Sequence, residues 1–194
     1  MTCNIHSIQE RFNSGEVLEF LFFWGHTAAP GKVTKACLSQ WFPCQFTVDG
    51  VLYHTTEQYM MAQKALLFGD AETCAKIMAA DNPGDYKALG RLVRGFNSEV
   101  WDEQKFDIVC DGNRAKFSQN PALAEFLLGT GESVLVEASP YDDIWGVKRS
   151  MDDPKIQNPN CWLGQNLLGF ALMETRDRDG AEPIRVASRL VCLS

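Results

Sequence analysis

The sequence predicts an α+β fold, a mainly helical single domain with a small antiparallel sheet. Helical patterns with capping residues cover most of residues 56–129. An Asp-Gly pair separates two short β-prone runs, which favours a hairpin. Strands and helices do not alternate as βαβ units require, and no G-x-G-x-x-G motif occurs, so a Rossmann dinucleotide site is not expected.

The strand predictions come from apolar runs and turn residues. Residues 18–24 are apolar and aromatic, which predicts a strand. The Asp-Gly pair joins residues 46–48 to residues 51–53, a pattern typical of a tight antiparallel hairpin. Residues 133–137 alternate in polarity and predict a further strand.

Helices are predicted from capping residues, prolines and apolar periodicity. Thr55 is the expected N-cap of the first helix, and Gln58 three residues on completes a capping-box pattern. Ser98 is expected to cap the longest helix. The predicted helices cover residues 56–68, 71–80, from after Pro83 to about Gly95, 98–117, 121–129 and 163–178. A long polar loop is expected at 140–161, and residues 184–191 are expected to form a strand or a short helix.

Composition and charge limit the classes of function. The chain has 194 residues, 45% hydrophobic and 22% charged, as expected for one globular domain. A net charge of -7 argues against a surface that follows a long nucleic-acid backbone, although a local pocket can still bind one small anion. The apolar run 20–24 is too short to span a bilayer, and the first residues lack a signal-peptide pattern. A cytoplasmic protein with no membrane partner is therefore expected.

Cysteines and histidines give no metal signature. The seven cysteines are scattered without a C-x-x-C pair, which favours reduced thiols inside a cell. The three histidines show no ligand spacing. Neither a metal site nor a cofactor is expected.

The most informative feature is an acid and an amine on one face of the first predicted helix. Glu57 lies in the first turn, where the helix dipole favours a carboxylate, and Lys64 follows about two turns later. Met60 and Met61 lie between them. Burial among apolar side chains would shift both pKa values and make the pair reactive. The alternative is an ordinary helix with one surface acid and one surface lysine.

Two further clusters follow in the helical region. Arg91 and Arg94, three residues apart at a helix end, could grip a phosphate; the alternative is a pair of solvated arginines near a glycine cap. Trp101, in the first turn of the longest helix, could stack on a base, although tryptophan at such a position usually belongs to the core.

Two more clusters lie nearer the end of the chain. Asp142, Trp145 and Gly146 follow the predicted strand 133–137 in a loop, where functional residues are common. The alternative is an Asx-type turn closed by a carboxylate. Asn166 is flanked by apolar residues, so it could contact a ligand or be a satisfied buried amide.

As a set, and in this order, the motifs resemble the NADAR family, also called YbiA-like. The resemblance covers roughly residues 20–178, which indicates an N-terminal segment 1–17, a catalytic domain 18–178 and a C-terminal tail 179–194. Its segments are 23–26, 39–42, 56–60 with 63–65, 90–96, 112–117, 137–140 with Asp142 and 145–146, and 162–169.

The resemblance implies an N-glycosidase that cleaves the bond between a ribose anomeric carbon and a nitrogen. One branch of the family removes the base from ribosylamine phosphates of early riboflavin biosynthesis and releases ribose 5-phosphate. Another removes ADP-ribose from modified guanine in nucleic acid. By resemblance, Glu57, Asp142 and Trp145 fall on active-site positions, and Lys64 falls on a lysine proposed to bind the opened sugar covalently.

Three hypotheses therefore remain open: a glycosidase of small ribosylamine phosphates, a hydrolase of ADP-ribosylated bases, and a non-catalytic ADP-ribose binder. The expected partner is a phosphorylated ribosyl or ADP-ribosyl small molecule, with nucleic acid only as the carrier of a modified base. The sequence departs from the family pattern at Lys148 and Arg149, where the family usually has a glycine and an apolar residue. A side chain there could crowd the ligand or contact its phosphate.

Overall fold

The computed structural model describes residues 4–179. The predicted element at 184–191 and all but the first residue of the predicted tail lie outside this range. Within it, the helices are α1 (Ile5–Asn13), α2 (Thr56–Leu67), α3 (Ala71–Ala79), α4 (Pro83–Gly90), α5 (Ser98–Gln119), α6 (Pro121–Leu128) and α7 (Leu167–Asp179). The strands are β1 (Phe20–Phe23), β2 (Phe46–Val48), β3 (Val51–Tyr53) and β4 (Val134–Glu137). No helix in the described range is long and apolar enough to cross a membrane.

The chain divides into two compact units. Of the described residues, 4–39 and 122–179 form the first unit, and 40–121 form the second. The helical majority with a small antiparallel sheet is confirmed, since β2 and β3 pair antiparallel. A second sheet, which the sequence did not predict, consists of β1 and β4 in parallel.

The first unit is built around the parallel pair of β1 and β4. The register runs from Phe20 opposite Val134 to Phe23 opposite Glu137. The side chains of β4 are buried at three successive positions, as expected of a strand that is covered on both faces. Helix α7 packs on β4. The predicted long loop is interrupted by two 3₁₀ turns, Pro154–Gln157 and Pro159–Cys161, and α1 packs against the second.

The second unit combines the β2–β3 hairpin with helices α2 to α5. Asp49 and Gly50 form the turn with φ angles of 50° and 80°, so the predicted tight hairpin is confirmed. Helix α2 packs on α3, α4 and α5, and β2 packs on α5. Since α2 contacts three other helices, it is not a free surface helix, and of its predicted reactive pair Glu57 is buried and Lys64 partly buried.

Three predicted helix boundaries differ from the structure. Helix α4 ends at Gly90, not near Gly95, because the Arg94 amide donates to the Asp70 side chain instead of continuing the helix. The N-cap of α5 is Asn97, whose side chain accepts from the Val100 amide, and not Ser98. Helix α7 begins four residues later than predicted, because Asn166 just before it has a φ of 56°, outside the helical range.

Candidate active site

The start of helix α2 is capped by side-chain hydrogen bonds. The Gln58 amide donates to the Thr55 hydroxyl oxygen at 3.0 Å, which confirms the predicted N-cap. The Gln58 side chain accepts from the His54 amide at 2.8 Å, one residue before the Thr55 amide that a capping box would use. These contacts fix the first turn of α2, which carries Glu57.

Glu57 is deeply buried, with 4% of its surface exposed. Its backbone amide donates to the Gln40 carbonyl at 3.0 Å, and the Thr56 hydroxyl donates to the same oxygen at 3.2 Å. The buried Gln40 therefore anchors the start of α2. Of the two interpretations of Glu57, a buried acid and a surface acid, its position agrees with the first.

Lys64 lies in a partly buried, largely aromatic setting. Its Nζ donates to the Gly90 carbonyl at 2.8 Å. The same nitrogen lies 4.3 Å from the ring centroid of Phe96 and 5.5 Å from that of Trp101. Desolvation by these surroundings holds the pKa of Lys64 below its ordinary value. A larger fraction of this amine is therefore neutral than in an exposed lysine.

The geometry of α2 places Glu57 and Lys64 on one side. Seven residues correspond to about two helical turns and roughly 10 Å along the axis. Trp101, in the first turn of α5, faces the amine and not only the core. The structure thus brings the Lys64 amine and the Trp101 ring together in the second unit, with the buried Glu57 about two turns away on the same side of α2.

Arg94 is held by acidic side chains. Its guanidinium lies 2.6 Å from Asp70 Oδ1 and 3.0 Å from Glu72 Oε2. The bonds from the Arg94 side chain and backbone, with one from Thr73, hold the pKa of Asp70 well below its usual range. Both contacts are made by Nη2 of the guanidinium, so its other N–H groups can still meet a phosphate, and the predicted phosphate contact of Arg94 stays a prediction. Arg91 is exposed, and its predicted phosphate contact stays a prediction.

Asp142 closes a turn in the first unit. Its Oδ1 accepts from the amides of Ile144 at 2.9 Å and Trp145 at 2.7 Å. The Asx-turn interpretation is therefore confirmed. The predicted catalytic role of Asp142 and the stacking role of the partly buried Trp145 stay predictions.

Asn166 is a satisfied buried amide with no exposed surface. Its Nδ2 donates to the Leu135 carbonyl at 2.9 Å, and its Oδ1 accepts from the Glu137 amide at 3.0 Å. The side chain thus binds the backbone of β4, and the structure favours this interpretation over the predicted ligand contact. Gly146 is also buried, and a Cβ there would lie 2.9 Å from the Glu137 carbonyl oxygen. Its predicted place in the substrate site stays a prediction, because close packing already accounts for a glycine.

Lys148, where the sequence departs from the family pattern, has an unusual backbone conformation. Lys148 has a φ of 52°, in the left-handed region that favours glycine. Its amine lies 2.9 Å from Asp143. Arg149 binds Asp153 at 2.6 Å and donates to the Cys161 carbonyl. Both cations are therefore engaged within the first unit.

Sequence reasoning missed two features. Asp70, which caps α3 and binds Arg94, was not singled out, although an acid directly before Ala71 is a recognisable N-cap signal. Trp24 and Tyr141 form an exposed aromatic pair at the carboxyl ends of β1 and β4, with ring centroids 6.4 Å apart. Among residues 4–179, no group of three His, Cys, Asp or Glu side chains is arranged to hold a metal.

These observations define an α+β protein with a desolvated lysine and a buried carboxylate on one helix, a combination suited to amine or acid–base chemistry. The NADAR domain family matches residues 22–178. The chain belongs to the NADAR family.

Similar proteins come from several organisms. The chain is 46% identical over 169 residues to the N-glycosidase R617 of Acanthamoeba polyphaga mimivirus, covering 84% of this chain and 98% of that protein. It is 32% identical to the riboflavin biosynthesis protein VVA0006 of Vibrio vulnificus, covering 72% of this chain but 34% of that protein. The NMR structure of E. coli YbiA is similar with a TM-score of 0.68 and 26% identity, covering 84% of this chain and 85% of YbiA.

Proposed function

We propose that this protein is an N-glycosidase that hydrolyses the bond between the anomeric carbon of a ribose and a nitrogen. The observation that carries this proposal is the Lys64 amine, which lies desolvated against aromatic rings two turns from the buried Glu57. The name of the mimivirus relative, which this chain matches over nearly that protein's whole length, supports the same activity.

Lys64 supplies the nucleophile. A ribosylamine opens to an imine at C1′, and the neutral Nζ adds to that carbon. The base then leaves as a free amine, and a C1′=Nζ Schiff base remains. Water adds to C1′, and Nζ departs with a proton as the free sugar forms. Since only the neutral amine attacks, the lowered pKa of Lys64 increases the reactive fraction at neutral pH.

Glu57 moves protons in this scheme. Addition, departure of the base and hydrolysis each require a proton to be taken up or released, and a carboxylate on the same helix face serves all three. Asp142 is proposed as a second acid or base on the strength of the family resemblance. Trp101, whose ring lies 5.5 Å from Nζ, is placed to pack against a sugar or base attached to Lys64. Trp145 is proposed to stack on the base.

The proposed substrate is the ribosylaminopyrimidine 5′-phosphate of early riboflavin biosynthesis, with ribose 5-phosphate as a product. The name of the Vibrio relative supports this choice, although the match covers about a third of that protein. The net charge of -7 also favours a small or terminal substrate over extended DNA. The alternative substrate is ADP-ribose linked to guanine. We place this activity in residues 18–178 and in the cytoplasm.

The deciding experiment measures sugar release from two substrates, the ribosylaminopyrimidine phosphate and an ADP-ribosylated guanine oligonucleotide, by the wild type and Glu57→Ala. Release of ribose 5-phosphate that the variant loses supports the proposed substrate. Release of ADP-ribose that the variant loses moves the protein to the reversal of base modification. Tight ADP-ribose binding without any release refutes the enzyme and leaves a binding module.

A further inference from the structure

The residues that surround the Lys64 amine belong mainly to one short segment. We call residues 90–96 the Lys64 cover. Its first residue, Gly90, accepts the hydrogen bond from Nζ at 2.8 Å, and its last, Phe96, presents a ring 4.3 Å from the same nitrogen. The cover therefore both orients the amine and shields it from water.

The start of the cover is held by backbone bonds, because Gly90 is the last residue of α4 and the Arg91 and Leu92 amides donate to carbonyls of α4. The cover begins where α4 ends and includes Gly95, whose φ of 70° reverses the chain direction. Phe96 rests edge-on against Phe68, with ring centroids 5.3 Å apart. Residues 93–96 lie beyond these bonds to α4, so a further contact is needed to hold Phe96 on the amine.

Asp70 is that anchor. Its Oδ2 accepts from the Arg94 amide at 2.9 Å, and its Oδ1 accepts from the Arg94 guanidinium at 2.6 Å. The backbone amide of Asp70 donates to the Ala65 carbonyl at 2.9 Å, directly after Lys64 in α2. Asp70 is only 3% exposed, and its Oδ1 also caps α3 through the Thr73 amide.

A closed path therefore runs from α2 through Asp70 to Arg94, along the cover to Phe96, and back to Lys64. We propose that Asp70 is a positioning residue, which fixes the cover on the Lys64 amine by gripping Arg94 through both its backbone and its side chain. This inference rests on the proposed function of Lys64. It also assigns to Arg94 a structural role beside its predicted phosphate contact.

Charged groups around α2 are not the cause of the lowered pKa of Lys64. Besides Asp70 and Arg94, the charged or titratable residues on α2, on its flanking strand and on the facing parts of α3, α4 and α5 are Tyr53, Glu57, Tyr59, Glu72, Cys74, Lys76, Asp85, Tyr86, Lys87, Glu99, Asp102, Glu103 and Lys105. The lowered pKa of Lys64 is caused by desolvation and not by a charge among them. Loosening the cover therefore admits water and returns the pKa of Lys64 toward that of an ordinary lysine.

The test uses two variants and one control. Asp70→Asn keeps an oxygen that can cap α3 but replaces the carboxylate that accepts the Arg94 amide and guanidinium. Arg94→Gln removes the guanidinium and leaves the backbone bond. Glu72→Gln is the matched control, because Glu72 also pairs with Arg94 but is exposed and does not accept from its backbone. Thermal unfolding of each protein reports whether the variant folds.

The measurement is the modification of Lys64 by a small acetylating reagent as a function of pH, read by mass spectrometry of its peptide. It needs no substrate, so its outcome is independent of the sugar-release test of the proposed function. We expect the midpoint to move to higher pH in Asp70→Asn, less in Arg94→Gln, and not in Glu72→Gln. For every pH unit by which the midpoint rises, the neutral fraction of the amine at lower pH falls about tenfold.

Two results overturn the inference. One is a folded Asp70→Asn with the wild-type midpoint. If that variant does not fold, Arg94→Gln decides, and a wild-type midpoint in it has the same consequence. An equal shift in all three variants also overturns it, because a general change in charge would then explain the result.

Discussion

Replacement of Asn166 by alanine separates a structural amide from a ligand contact. The substitution removes the Nδ2 bond to the Leu135 carbonyl and the Oδ1 bond to the Glu137 amide. Each loss leaves a buried backbone group unsatisfied at about 1–3 kcal/mol. A further cost of about 1 kcal/mol arises because Asn166 has a φ of 56°, which alanine tolerates less well than asparagine.

Together these costs predict a loss of about 3–5 kcal/mol in the free energy of unfolding. The loss is below the full sum because water in the vacated space hydrogen-bonds some of the exposed backbone groups. Urea unfolding followed by circular dichroism measures it. Gln165→Ala is the matched control, because the neighbouring amide is exposed, and it should change stability by less than about 0.5 kcal/mol. A folded Asn166→Ala of wild-type stability with a raised KM would refute the structural reasoning and restore the predicted ligand contact.

Three further predictions concern backbone strain, close packing and pH. Lys148→Gly should be more stable than Lys148→Ala by about 1 kcal/mol. Both variants lose the ion pair with Asp143, but only alanine keeps a Cβ at a φ of 52°. Equal melting temperatures of the two variants would contradict this prediction. Gly169→Ala should lose about 3 kcal/mol or fail to fold, because its Cβ would lie 2.0 Å from the Leu135 carbonyl oxygen; a wild-type urea midpoint would show that β4 can move. The kcat for sugar release should rise with pH as Lys64 loses its proton. The midpoint should lie below the pKa of an ordinary lysine, because desolvation lowers the pKa of Lys64. A pH-independent kcat would exclude the amine as nucleophile.

Local patterns in the sequence predicted much of the second unit. The hairpin followed from one Asp-Gly pair between β-prone runs, since the φ values that its turn requires are ones that these residues adopt readily. Thr55 predicted the start of α2 because its hydroxyl meets a backbone amide three residues on. The spacing of Glu57 and Lys64 then predicted a shared helix face.

Long-range pairings could not be predicted in the same way. Strands β1 and β4 are separated by more than a hundred residues, and nothing in either run specifies a parallel partner. The pairing of Arg94 with Asp70 could not be predicted, because Asp70 lies 24 residues earlier and at the end of another helix. The sequence left Asn166 open between a ligand contact and a buried amide, because its backbone partners on β4 become visible only in the folded chain.

The most direct test of the account is borohydride trapping at Lys64 during turnover. The wild type is incubated with the ribosylaminopyrimidine phosphate and sodium borohydride, and the modified peptide is located by mass spectrometry. We expect a reduced ribose 5-phosphate adduct on Lys64 of the wild type and no adduct in Lys64→Arg, which keeps the charge but forms no Schiff base. Sugar release by the wild type without any adduct on Lys64 would contradict the covalent mechanism.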